Sequence, residues 1–88
     1  MKFMLTDHAR GRAAEWGIPI PAIVAVMDHA KPRFAGGRCW DYRLTFEDTA
    51  TRLDLRRWLG IAVVADDSDR VVTVFRIHAG AIRHRRAG

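Results

Sequence analysis

Eighty-eight residues with a formal net charge of +5 hold one small core, which excludes a second catalytic domain or a fold of dinucleotide-binding size. Hydrophobic residues at 49% and charged residues at 28% exclude a disordered tail and describe a folded domain. Thirteen arginines stand against two lysines, and Arg83, Arg85 and Arg86 in the last six residues leave the remainder at only +2.

A basic excess favours anionic partners: nucleic acid, an acidic protein or a membrane surface. A GC-rich coding sequence raises Arg and Ala together without any partner, so charge alone decides nothing. The single cysteine, Cys39, excludes an internal disulfide. Only Phe3, Met4 and Leu5 separate Lys2 from Thr6 and Asp7, and the apolar stretch 17–27 is broken by Pro19 and Pro21. Neither a signal peptide nor a membrane span is expected, and the reading is cytoplasmic.

Thr6 is placed to cap a first helix, its hydroxyl accepting a free amide, with Asp7 at the positive end of the dipole. Ala9, Ala13 and Trp16 then recur at i, i+4 and i+7 as an apolar stripe that Gly17 ends. His8 and Arg12 form a neighbouring i, i+4 pair, with Glu15 three positions after Arg12. Pro21 suits the first turn of a second helix, in which Ile20, Ile23, Val24 and Met27 predict the buried face. Lys31-Pro32 stops it, and Gly36-Gly37 predicts a loop.

Beyond residue 37 the period changes. Trp40, Tyr42, Leu44 and Phe46 alternate with Asp41, Arg43 and Thr45, predicting a half-buried strand over 39–46. The β-branched runs 61–65 and 71–77, joined by Asp66-Asp67-Ser68-Asp69-Arg70, predict a hairpin. Leu53 and Leu55 favour extended structure over 52–57, although Ala50, Leu53 and Arg57 also fit a helical turn. The expected fold is α+β: two N-terminal helices packed on one face of a three- to four-stranded antiparallel sheet over residues 1–80, with a basic tail at 81–88.

Several chemistries lack their residues. His8, His29, His78, His84 and Cys39 show no CxxC, HxxxH or HExxH spacing, so no metal is expected. Asp66, Asp67 and Asp69 lack the glycine and distal glutamate of a calcium loop. The one serine, Ser68, has no strand-to-helix elbow, and phosphate-cradling glycine loops are absent. Histidine with arginine on a small basic scaffold remains, and it suits RNA cleavage without metal or cofactor. A base removes the 2′-hydroxyl proton, the oxygen attacks phosphorus, and arginine forks hold the phosphate.

The segment Thr6-Asp7-His8-Ala9-Arg10-Gly11-Arg12, the run Trp16-Gly17-Ile18-Pro19 and the strand Val71-Val72-Thr73-Val74-Phe75 resemble a family of small domains. Its pattern is a helix H-A-x-x-R, then R-G-I, then a strand V-x-T-V-[YF]. That family is similar to the RelE/BrnT-type toxins of the barnase–EndoU–colicin–RelE ribonuclease superfamily, and the likeness covers about residues 3–30 and 60–77. It implies a barnase/RelE-like fold, RNA as substrate and a cognate antitoxin, acidic or partly disordered, as partner. Trp16 stands where the pattern usually has Arg, and Phe75 stands where a tyrosine is common, so no ring hydroxyl is available there.

Carried onto this chain, the resemblance makes His8 the catalytic candidate, Arg12 the phosphate-orienting group and Thr73 a hydroxyl for phosphate. Arg43, Arg76, His78, Arg57 and Trp58 join them as RNA-binding candidates from their types and positions. Each also has a structural role open to it: a local bond for His8, a pair with Glu15 for Arg12, strand propensity for Thr73. Trp40 and Tyr42 could stack a base, but their alternation with Leu44 and Phe46 favours the core. Two other functions compete with the nuclease, a non-catalytic basic nucleic-acid-binding module and a protein-interaction domain for an acidic partner.

Overall fold

The computed structural model describes residues 3–77. The elements run β1 (Met4–Leu5), α1 (Asp7–Trp16), α2 (Ile20–His29), β2 (Pro32–Gly36), β3 (Cys39–Arg43), a 3-10 helix (Leu53–Trp58), β4 (Ile61–Asp66) and β5 (Arg70–Arg76). They form one sheet of order β1-β5-β4-β3-β2 with both helices on one face. The α+β class is as expected, but the sheet has five strands and is mixed. Four of them are antiparallel neighbours, and β1 adds a parallel edge beside β5. A two-residue strand carries no period, so β1 has no signature in sequence.

The first helix follows its local chemistry. Thr6 is extended and accepts the amide of Ala9 at 3.1 Å, as an N-cap should. At the other end Gly17 takes φ 64°, Ile18 N–H donates to the Ala13 carbonyl at 2.8 Å and Gly17 N–H to Ala14 at 3.3 Å. This double bond pattern closes the last turn, and only glycine enters it without a Cβ penalty. In α2 the prolines supply the start and Ala30 the end. Its buried line is Ala22, Ile23, Val26 and Ala30, whereas Ile20 stands exposed.

Beneath the helices Ile61, Val63, Ala65, Val71 and Val74 complete the core. Burying a Val or Ile side chain fully contributes about 1.5–3 kcal/mol, so each of these positions weighs on the fold's stability. Strand β3 ends at Arg43, short of the predicted 46. There Thr45 and Asp48 exchange bonds, Thr45 N–H to Asp48 Oδ2 at 2.8 Å and Asp48 N–H to Thr45 Oγ1 at 3.2 Å, which turns the chain and leaves Phe46 exposed. The predicted extended segment 52–57 is instead the 3-10 helix. Leu55 and Trp58, three apart, turn inward while Leu53 is 64% exposed, a period of three that two alternating leucines conceal.

Among the described residues no helix is long and apolar enough to cross a membrane. The predicted tail at 81–88 lies outside them.

Candidate functional site

Helix α1 buries Ala9 and Ala13 against β5, which turns a flank carrying His8, Arg12 and Trp16 outward. These three follow at steps of four, so they climb the helix one turn at a time. His8 is exposed in the first turn, set by the Thr6 cap. Arg12 lies 3.6 Å from Glu15, a surface pair worth at most about 1 kcal/mol. Trp16 was expected in the apolar stripe; the structure leaves it 41% exposed at the helix end.

Arg76 reaches the same helix from β5. Its Nε donates to the Trp16 carbonyl at 2.9 Å and its Nη2 to the Gly17 carbonyl at 3.0 Å. The last turn of α1 has no basic residue of its own, so Arg76 supplies the cation that its carbonyls favour. His8, Arg12 and Arg76 are therefore tied to one helix, two as its residues and one by its bonds.

Thr73 is not brought to them. Val74 points into the helix-facing core, so its strand neighbours Thr73 and Phe75 point to the opposite face. The cross-strand rows on that face run Arg33–Asp41–Val64–Thr73 and Arg43–Ala62–Phe75. Arg43 shares it with Thr73 and forks onto Asp41, Nε to Oδ1 at 3.0 Å and Nη2 to Oδ2. The hydroxyl expected to join His8 and Arg12 at one phosphate is thus separated from them by the sheet.

Arg57 and Trp58 form a third group on the 3-10 helix. The Arg57 guanidinium lies 5.3 Å from the Trp58 ring centre, and its Nε donates to the Asp54 carbonyl at 3.3 Å. Trp58 is half-buried against the core, which leaves less of its ring open to stacking. His78 lies outside the described residues.

Two adjoining hollows of about 180 and 240 Å³ share Tyr42 and Asp69. Asp28, Asp66 and Asp67 also line them. Burial, and then the charge of Asp69, push the Tyr42 phenol above its ordinary value. Carboxylates at this density repel phosphate, so the hollows do not extend the basic flank of α1. Asp66 is committed to the β4–β5 turn: the Arg70 amide, then the Ser68 amide and the Arg70 guanidinium, hold its carboxyl below the usual range. Among the described residues no group of three or more His, Cys, Asp or Glu is placed to hold a metal ion.

Sequence reasoning missed the exposure of Trp16 and the bond from Arg76 to α1. The first had a signal, since a tryptophan in the last helical position before glycine projects past the packed turns. The second had none, because it joins residues about sixty apart. Comparison with protein-family models, curated proteins and solved structures gives no match to this chain.

Proposed function

We propose that this domain is a metal-independent endoribonuclease of the toxin type, barnase/RelE-like in fold, that cuts RNA by attack of the substrate's own 2′-hydroxyl. The observation that carries the reading is the flank of α1 on which exposed His8 and half-buried Arg12 stand one turn apart, with Arg76 bonded to the far end of the same helix. Neutral His8 takes the 2′-hydroxyl proton as the 2′-oxygen bonds to phosphorus. The bond from phosphorus to the 5′-oxygen breaks, and that oxygen leaves with a proton from water. The products are a 2′,3′-cyclic phosphate and a 5′-hydroxyl, and His8 returns its proton to solvent. Arg12 offsets the charge that grows on the non-bridging oxygens. No cofactor enters these steps. An antitoxin with acidic or partly disordered segments is complementary to the same flank.

Thr73 and Phe75 favour a second reading. With the threonine across the sheet and no ring hydroxyl on β5, a domain on this scaffold that binds RNA without cutting it is chemically coherent. Expression of the wild type beside His8→Ala and His8→Gln separates the two. The nuclease reading expects growth arrest and RNA with cyclic-phosphate ends from the wild type alone, with all three proteins folded. Intact RNA from a folded, RNA-bound wild type leaves the binding module; neither cleavage nor binding removes both.

A further inference from the structure

Among the three tryptophans, Trp40 packs edge-on against Phe34 with ring centres 5.5 Å apart, and Trp58 lies beside Arg57 against the core. Trp16 differs from both. It is 41% exposed, stands outside the core, and its ring meets no other ring or cation among the described residues. Tryptophan is enriched at interfaces, where something from a partner covers the part of the ring that the domain leaves open.

Its surroundings indicate what. Arg12 lies one turn back on the same flank, and Arg76 is bonded to the carbonyl of Trp16 itself at 2.9 Å. A π-face with one guanidinium a turn back on its helix and another bonded at its own carbonyl matches the alternation of base and phosphate in an unpaired strand. A duplex hides its base faces in the stack and offers the indole nothing to cover. We infer that Trp16 is a stacking platform for an unpaired nucleobase, so that this face takes single-stranded RNA in preference to duplex. The inference rests on the reading of α1 as the RNA-facing flank, and it adds the substrate class.

The probe is an eight-nucleotide 2′-O-methyl RNA, which lacks the attacking hydroxyl and so reports binding without cleavage, compared with a hairpin duplex of the same sequence. Trp16→Ala should weaken single-strand binding about tenfold. Trp16→Phe, which keeps a π-face, should stay within about threefold of wild type, and Trp16→Leu, which keeps apolar bulk alone, should behave like Trp16→Ala. Duplex binding should be weaker and unchanged by all three. Equal affinity of wild type and the folded Leu variant for the single strand overturns the inference, as does an equal loss on single strand and duplex, or no binding of either. Cleavage of unmodified RNA is scored separately. Cleavage without a Trp16 effect leaves the nuclease and removes the platform; the Trp16 effect without cleavage does the reverse.

Discussion

The Thr6 hydroxyl donates to the Val71 carbonyl 2.9 Å away while it accepts the Ala9 amide, so one side chain both starts α1 and fastens it to β5. The Thr6 amide donates to the same carbonyl at 3.1 Å. These bonds continue the parallel β1–β5 ladder beside an irregularity of β5, where Val71 faces Ala65 and Thr73 faces Val64, which leaves Val72 as the extra residue.

Thr6→Val keeps the shape and removes the hydroxyl's bonds to Ala9, Val71 and Val72. Loss of a helix cap typically costs about 1–2 kcal/mol, and the variant should lose that much in urea unfolding. Thr6→Ser should recover most of it.

Arg76→Ala should loosen the last turn of α1 with little change elsewhere, by about 1 kcal/mol, the scale of a helix-end charge. Amide exchange at Gly17 and Ile18 should quicken more than at core positions of β4. Arg76→Lys should not restore protection, because a point charge cannot reach two carbonyls with the fixed fork of a guanidinium.

Asp66 ties stability to acid. Its carboxyl is held below the ordinary range in the folded state, chiefly by the Arg70 amide, so it binds a proton more readily when unfolded. Its contribution is complete above the unfolded value and is lost as pH falls through the folded one. A series of Tm values from neutral pH downwards should fall through the carboxylate range, and Asp66→Asn should fall less steeply there.

Arg12→Ala should weaken RNA binding and lower the slope of log affinity against log salt by about one phosphate contact. An unchanged slope would place the phosphate elsewhere than on α1.

Local signals in the sequence were faithful where the physics is local. The Thr6 cap, the Gly17 stop and the proline start of α2 lie within a turn of the features they set, and the β4–β5 hairpin follows from its β-branched runs and the polar loop between them. The errors fall where a distant element decides. Leu53 and Leu55 alternate as in a strand, but no neighbouring strand receives them and a 3-10 turn buries Leu55 alone. The placement of Thr73 is of the same kind. Strand periodicity says that it and Val74 point apart, and only the packing of α1 over Val74 says which of them shares a side with His8. His8 and Arg12 were legible as a pair because helical spacing alone puts them together.

Both ends of α1 are held by β5: Thr6 by Val71 across 65 positions of chain, and Trp16 by Arg76 across 60. During synthesis the first helix therefore leaves the ribosome long before either of its anchors exists. Until the segment through Arg76 emerges, α1 has only its own caps and an apolar face with no strand to cover. The basic flank should thus take its final setting late, as one event with the arrival of β5.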